Sequence, residues 1–334
     1  MPGLSITGGA WPRPYGGVLN PPSKATYHAM RSLVLLACLG GAYPLAAQDL
    51  TPRSYPIQSV ESWSYKSPSM GLTYDIVVGL PPGYAANPGK KYPALVVTDG
   101  NATFPAAFDA ARVLASQGDI DGIIVISVGT PVLEEGDSAW TRRRIYEFSP
   151  PDWNREDAFG KGVTGYCAAF HSKPDRCTGG APLFLDLIVK EILPKVGAKY
   201  RVDMSDLGLF GVSAGGFFAS WVIFQPTSPF TKYIISSPAT AYGDGAALRL
   251  EKQFAETHKD LKARIYMASG GLEMEHPMLE GIGRIVSGMI QLGAALKSRN
   301  YPGLQLTMEV HPGMGHSDVA PTTLNRGIRV VYAK

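Results

Sequence analysis

The sequence has no apolar run long enough to cross a membrane and no block of excess charge. The apolar run that follows Arg31 is shorter than the ~20 residues that a membrane-spanning helix needs. Three of the 31 basic residues lie in the first 47 positions, where no acidic residue occurs, and the other 28 balance the 28 acidic residues. We therefore expect no membrane span and no basic surface for nucleic acid or anionic lipid.

The first 47 residues fit no element of a folded domain and predict a leader. Residues 1–29 are rich in glycine and proline, and we interpret them as an over-extended start. Residues 30–47 combine one positive charge, a short apolar run and small residues at the end, as a secretory signal peptide does. The alternative is a lipoprotein cleavage box at Leu35–Cys38. The leader predicts an exported protein, either periplasmic or secreted.

Cysteine is scarce, with three in 334 residues, and removal of the leader leaves only Cys167 and Cys177. In an exported protein, a close pair of this kind predicts a disulfide that pins a loop. Two reduced, buried thiols are the alternative. His311 and His316 lack thiolates or carboxylates at metal-ligand spacing, and no nucleotide or haem motif occurs. We therefore predict no metal and no other cofactor.

From residue 48 to the end, buried apolar runs alternate with amphipathic helices, and no internal repeat is visible. Continuous apolar runs predict parallel strands that are covered by helices on both faces, whereas the alternating pattern of residues 73–84 predicts an antiparallel strand. The continuous runs are residues 92–101, 121–130, 207–211, 231–239 and 263–271. We predict one α/β domain over residues 48–334, with a mostly parallel mixed sheet and a loop or lid excursion at about 131–180.

A serine stands between glycines in Gly211-Val212-Ser213-Ala214-Gly215, which joins a predicted strand to a predicted helix. The G-x-S-x-G pattern is weak alone, but in this context it is typical of a nucleophile elbow, where the outer positions must be small. The helix start favours negative charge beside the serine, and the N–H of Ala214 can donate to an oxyanion. An ordinary strand-to-helix turn is the alternative.

A serine hydroxyl needs a base in contact with it, and the base needs an acid that orients it. The chain order serine, acid, histidine favours His316, in the loop after the last strand, over His311, which still belongs to that strand. The acid is expected after the preceding strand, where Glu273 and Glu275 both stand. Glu273 lies closer to the strand end, and Asp244 is a more distant candidate.

Two further features complete the predicted site. The loop after the strand at 92–97 contains Gly100, which lets the backbone approach a substrate, so we assign a second oxyanion donor to the N–H of Asn101 with Gly100 as the alternative. We expect Asp99 to brace this loop. The run Arg142, Arg143 and Arg144 is a candidate contact for an anionic substrate, and a solvated surface is the alternative.

Together these segments resemble the putative-esterase family of α/β-hydrolases, which includes enterochelin-type siderophore esterases. The resemblance spans about residues 73–334 and rests on YPALVVTDGNATFP, LGLFGVSAGGFFA, the SGGLE after a strand and GHSDVAPTTLNRGIRVVY. It implies an α/β-hydrolase fold and a serine esterase. It also implies that Ser213, Glu273 and His316 occupy the triad positions and that Asn101 supplies an oxyanion donor.

The function that we predict is hydrolysis of a small-molecule carboxylic ester by a Ser-His-Glu triad through an acyl-enzyme intermediate. Within this chemistry, a siderophore trilactone esterase and an acyltransferase that acts on a sugar are alternatives. A different alternative is a surface-binding protein that kept the fold and lost the activity, because fold does not fix function.

Overall fold

The computed structural model describes residues 57–131, 137–151, 160–162, 165 and 177–334. The predicted leader, Cys167 and most of the predicted excursion between residues 152 and 176 lie outside this part of the chain. The side chain of Arg142 lies outside it as well. Residues Ile57–Lys334 form one compact unit.

Eight strands of the described residues form one sheet, and most neighbours in it are parallel. The strands are β1 Val60–Lys66, β2 Thr73–Gly79, β3 Tyr92–Val97, β4 Ile124–Gly129, β5 Val202–Val212, β6 Lys232–Ser236, β7 Ala263–Gly270 and β8 Leu304–His311. Their order is β1-β2-β4-β3-β5-β6-β7-β8. The β1–β2 and β2–β4 pairs are antiparallel, and the other five pairs are parallel. The prediction of a mostly parallel mixed sheet is confirmed.

The helices fill the connections between these strands. They are α1 Gly100–Gln117, α2 Asp137–Phe148, α3 Ala181–Asp186, α4 Leu193–Lys199, α5 Ala214–Val222, α6 Tyr242–Thr257, α7 Ile285–Ser298 and α8 His316–Val331. A π-helical turn at Leu187–Ile192 joins α3 to α4. Pro194 lies just after this π-helical turn, at the second residue of α4. None of the helices in the described ranges has the length and apolar character that crossing a bilayer requires.

The core lies on both faces of the sheet, as the continuous apolar strands predict. Alternate residues of a strand point to opposite faces. In β3, Val96 belongs to one apolar cluster, whereas Leu95 and Val97 belong to the other. Phe217 of α5 packs in the first cluster and Ile328 of α8 in the second. Helices therefore cover both faces and leave the strand ends as the accessible edges.

The parallel pairing brings the candidate residues to one edge of the sheet. Strands β3, β5, β6, β7 and β8 run in the same direction, so their carboxyl ends lie together. Asp99, Ser213, Ser237 and Glu273 each follow one of these strands closely, and His316 opens the helix after β8. This edge is where ligands bind in open α/β sheets.

Candidate active site

Ser213 lies in a strained backbone conformation between β5 and α5. Its φ of 59° and ψ of −116° fall outside the regions that residues with a side chain usually occupy. The surrounding loops hold it there: its N–H donates to Ser236 O at 2.9 Å, and its C=O accepts from the N–H groups of Phe217 (2.9 Å) and Ala239 (3.0 Å). Such a conformation costs about 1–3 kcal/mol and persists only where the surroundings fix it, typically at functional sites.

The glycines around Ser213 lie where a side chain would collide with neighbouring atoms. A Cβ atom on Gly211 would lie 2.0 Å from the carbonyl oxygen of Gly215. A Cβ atom on Gly215 would lie 2.9 Å from Thr98 Oγ1. The prediction that both positions must be small is confirmed. Gly216, which the sequence analysis did not single out, meets the same limit, because its Cβ would lie 2.6 Å from Ser236 O.

We expect Gly211→Ala to destabilise the protein by about 1–3 kcal/mol or more, because the new methyl group meets backbone atoms that cannot move away alone. Thermal unfolding measures this loss. Gly197→Ala is the matched control, since a Cβ there lies 3.4 Å from the nearest atom, the sulfur of Met204, and alanine favours the helix. Equal unfolding midpoints for Gly211→Ala and the wild type would contradict the steric account.

His316 and Glu273 form the central polar contact of the site. The Nδ1 atom of His316 lies 2.5 Å from Oε1 of Glu273. The carboxylate is fully buried, whereas the imidazole remains 32% exposed. The second oxygen, Oε2, accepts from Ser237 Oγ at 2.8 Å and from the Gly270 N–H at 2.6 Å. Both carboxylate oxygens are therefore occupied, so Glu273 is held in one orientation and in turn orients the imidazole.

The structure separates Glu273 from the other candidates for the acid. Glu275 is exposed, and Asp244 pairs at 3.7 Å with Arg249 instead. His311, the alternative base, has its Nε2 3.6 Å from Glu309 on its own strand. Among the residues that the sequence singled out, Glu273 and His316 alone form a buried carboxylate–imidazole contact in the described part of the chain.

Ser237 is a site residue that the sequence analysis missed. It follows β6 directly, is buried, and has a φ of 44°. Its N–H donates to Ala268 O at 2.7 Å, and its hydroxyl donates to Glu273. The sequence did contain a signal for Ser237: it is a polar residue directly after a predicted parallel strand, and such residues lie at the same edge of the sheet as the Ser213 elbow.

The loop after β6 connects the two halves of the site. Ala239 in this loop donates to the carbonyl of Ser213, and Ser237 donates to Glu273, which contacts His316. Within the described residues, no hydrogen bond joins Ser213 Oγ to the His316 ring. Catalytic hydrogen bonds are often long in the absence of substrate and tighten in the complex, so this arrangement is compatible with a serine–histidine pair.

The candidate oxyanion donors lie at two helix starts. Ala214 is the first residue of α5, and Gly100 and Asn101 are the first two residues of α1. In the described ranges, the backbone N–H groups of these three residues have no acceptor. The Asn101 side chain donates to Thr130 O at 2.5 Å and so ties the start of α1 to the loop after β4. Free N–H groups at helix starts can bind a developing negative charge.

The predicted substrate contacts of Arg143 and Arg144 are corrected by the structure, which also places the arginine run in α2 rather than in a loop. Arg144 pairs with Asp99 through two hydrogen bonds of 2.9 Å. Arg143 contacts Glu147 at 3.3 Å, and its guanidinium lies 4.4 Å from the ring centroid of Tyr74. Both guanidinium groups thus face buried carboxylates of this chain, because such carboxylates need a cation close by. Burial raises the pKa of Glu147, and Arg143 opposes that shift.

Two other predictions concern sulfur and metal. Cys177 is disulfide-bonded and buried. Its predicted partner, Cys167, lies outside the described residues, so the pairing stays a prediction. In the part of the chain that the structure describes, no group of three or more histidine, cysteine or acidic side chains is arranged to hold a metal ion.

Known proteins match the chain along most of its length. A family model described as "Putative esterase" matches residues 67–159. Ferri-bacillibactin esterase BesA from Bacillus subtilis is 24% identical over 284 residues, which cover 84% of this chain and 91% of BesA. The chain is therefore similar to proteins of this esterase family. The resemblance that was inferred from the sequence motifs is thereby confirmed.

A second relative and a solved structure extend the comparison with this esterase family. Siderophore triacetylfusarinine C esterase from Aspergillus fumigatus is 30% identical over 190 residues. This match covers 55% of the chain and 58% of that esterase, a little over half of its length. The crystal structure of the BES protein from Bacillus cereus has a TM-score of 0.68 and 27% identity, and the match covers 85% of this chain and 98% of the BES protein. The predicted α/β-hydrolase fold is confirmed.

Proposed function

We propose that the chain is a serine esterase that hydrolyses carboxylic esters through an acyl-enzyme intermediate. The observation that carries the proposal is the hydrogen bond between His316 and the buried Glu273, on the sheet edge where Ser213 is held in its strained elbow. A carboxylate that orients an imidazole, at the same edge of the sheet as a partly exposed serine, has the composition of a catalytic triad. The free N–H groups of Ala214 and Asn101 lie at the starts of α5 and α1, on the same edge of the sheet as Ser213.

In the first stage, His316 Nε2 takes the proton of Ser213 Oγ while this oxygen attacks the ester carbonyl carbon. The carbonyl electron pair moves onto oxygen, and the N–H groups of Ala214 and Asn101 stabilise the resulting anion, each by about 3 kcal/mol. The intermediate then collapses, and the alcohol leaves with the proton from His316. In the second stage, His316 takes a proton from a water molecule, whose oxygen attacks the acyl carbon. The second tetrahedral intermediate then collapses, the acid leaves, and His316 returns the proton to Ser213 Oγ.

Glu273 contributes by holding His316 in the required tautomer. With Oε1 accepting from Nδ1–H, the free Nε2 lone pair is available to the serine proton. The carboxylate also stabilises the imidazolium that forms in both stages. Ser237 and Gly270 saturate the other oxygen and so prevent the carboxylate from rotating away.

We further propose that the substrate is a siderophore ester. One relative is named a siderophore triacetylfusarinine C esterase and another, BesA, a ferri-bacillibactin esterase, and BesA is matched over nearly its whole length. A generic carboxylesterase needs only an apolar pocket, whereas a siderophore esterase must hold a large, polar ester with several ester bonds. The predicted export to the periplasm or medium belongs to the same proposal, since siderophores travel through these compartments.

We expect a catecholate trilactone to be hydrolysed with a kcat/KM at least about 10-fold above that of p-nitrophenyl acetate, because remote binding energy can be used in the transition state. Arg142→Gln should lower kcat/KM for the trilactone by about 10–100-fold, the range that corresponds to one charged hydrogen bond, and leave the neutral ester unaffected. Steady-state kinetics with both esters measures this difference in the effect of the substitution on kcat/KM. Arg112→Gln, which removes an exposed arginine on α1, is the charge-matched control.

Each result has a distinct meaning. A trilactone no better than the neutral ester would exclude the siderophore as preferred substrate and leave the esterase proposal standing. Equal loss for both esters in Arg142→Gln would show that this residue does not recognise the anionic part. The absence of any labelling by a fluorophosphonate probe would favour the non-catalytic alternative, because only an activated serine reacts with it.

A further inference from the structure

The ion pair between Asp99 and Arg144 lies directly behind the candidate active site. Asp99 follows β3 and immediately precedes α1, and its side chain is 2% exposed. Both carboxylate oxygens accept from Arg144, one from Nε and one from Nη2, each at 2.9 Å. A two-bond pair of this kind fixes the relative orientation of the two groups as well as their distance.

The ion pair fixes the start of α1, where the proposed oxyanion donor lies. Asp99 has a φ of 52° and a ψ of 41°, a left-handed conformation that is uncommon for a residue with a side chain. Its carboxylate makes no capping bond to the helix, because it faces Arg144 instead. Its carbonyl accepts from the N–H groups of Ala102 and Thr103. The backbone at Asp99 therefore sets the direction of the next two N–H groups, of Gly100 and Asn101.

The same pair also contacts the nucleophile elbow. Arg144 Nη2 lies 3.4 Å from the carbonyl oxygen of Val212, the residue before Ser213. A Cβ atom on Gly215 would lie 3.2 Å from Asp99 Oδ2, so the carboxylate packs against the first turn of α5. Asp99 and Arg144 thus contact both the loop after β3 and the Ser213 elbow. These two segments must keep a fixed separation while the ester carbonyl is bound between them.

We propose that Asp99 and Arg144 are positioning residues that hold the oxyanion donor of Asn101 at a fixed distance from Ser213. This inference rests on the proposed esterase function. Neither side chain touches the substrate; the pair acts by locking the loop after β3 to the elbow, with α2 as its anchor. Oxyanion stabilisation depends on donors that are already in place, and a misplacement of about 1 Å can cost a 100-fold loss of rate.

The neighbouring pair, Arg143 and Glu147, provides a control within the same helix. It is also buried, and its arginine also bonds a backbone carbonyl, that of Thr73. Its contacts with Tyr74 and Thr73 lie on β2, however, not on the loops that carry Ser213 and Asn101. Removal of either arginine leaves one buried carboxylate without its cation, so both changes should reduce stability. A reduced kcat should follow only from the change at Arg144.

The test compares Arg144→Met with Arg143→Met in the full chain. Arg144→Met should lower kcat for p-nitrophenyl acetate and the rate of fluorophosphonate labelling by about 10–100-fold, with KM changed by less than about 3-fold. Arg143→Met should keep kcat within about 2-fold of the wild type and lower the unfolding midpoint about as much as Arg144→Met does.

Two further measurements test the same ion pair. Asp99→Asn, which keeps the shape of the side chain, should reproduce the loss of kcat. Added methylguanidinium should partly restore kcat of Arg144→Ala but not of Arg143→Ala.

A wild-type kcat in folded Arg144→Met would overturn the positioning role and leave the esterase proposal intact. Equal kcat losses in the two arginine variants, without rescue, would also overturn it, because they would indicate a general effect of stability. If Arg144→Met does not fold, the same assays on Asp99→Asn decide the question. Failure of the esterase proposal looks different: the wild type itself would then neither hydrolyse the ester nor react with the probe.

Discussion

Ser213→Ala is expected to lower kcat for ester hydrolysis by at least about 10⁴-fold, because it removes the oxygen that we propose forms the acyl-enzyme. The residual rate would come from the oxyanion donors and substrate binding alone. The fold should survive, since alanine at a φ of 59° is no more strained than serine. We expect the unfolding midpoint to change little, and circular dichroism with thermal unfolding measures this.

The matched control for Ser213→Ala is Ser220→Ala. Ser220 is a buried serine in the same helix, α5, and its hydroxyl donates to Gly216 O at 2.9 Å without contact to the site. We expect this variant to keep its kcat and its reaction with a fluorophosphonate. Mass spectrometry of the labelled wild type should locate the probe on the peptide that contains Ser213. Retained turnover in Ser213→Ala, or a label on another residue, would exclude the mechanism.

The mostly parallel sheet, and the edge of it where the candidate residues lie, were predictable because parallel strands impose a simple rule. Buried parallel strands appear as continuous apolar runs, and the residues that follow them meet at one edge of the sheet. This rule predicts, from chain positions alone, that Ser213, Glu273 and His316 lie at the same edge of the sheet. Strand bounds were less predictable: β5 begins at Val202, five residues before the apolar run at 207–211, because Val202 pairs with Tyr92 of β3.

The roles of the arginines could not be predicted because they depend on partners far away in the chain. Arg144 and Asp99 are separated by 45 positions, and no periodic pattern connects them. In the sequence, three consecutive arginines indicate either a solvated surface or an anion contact. Whether a cation is buried depends on a carboxylate that the fold brings to it, here Asp99 for Arg144 and Glu147 for Arg143. Ser237 was missed for the same reason, since its role depends on the hydrogen bond that it donates to Glu273.

Glu273→Gln is expected to lower kcat by about 10³–10⁴-fold, the loss that follows when the acid of a triad is replaced by its amide. The amide of glutamine can donate toward Nδ1 of His316, which favours the tautomer with the proton on Nε2. That proton blocks the nitrogen that must accept the Ser213 proton. Ser237 and the Gly270 N–H can still donate to the amide oxygen, so the side chain should keep its place.

The comparison that separates this tautomer effect from a loss of stability uses two further variants. Glu275→Gln, at an exposed position two residues away, should keep kcat within about 2-fold, as surface changes usually do. Glu273→Asp keeps the charge but shortens the reach to His316 by one methylene, so its kcat should fall between those of the wild type and Glu273→Gln. Steady-state kinetics and unfolding midpoints measure all three. If Glu273→Gln kept full activity, or if Glu275→Gln lost it, the proposed acid would have to be assigned elsewhere. The 2.5 Å hydrogen bond between Glu273 and His316 would then have no role in orienting the base.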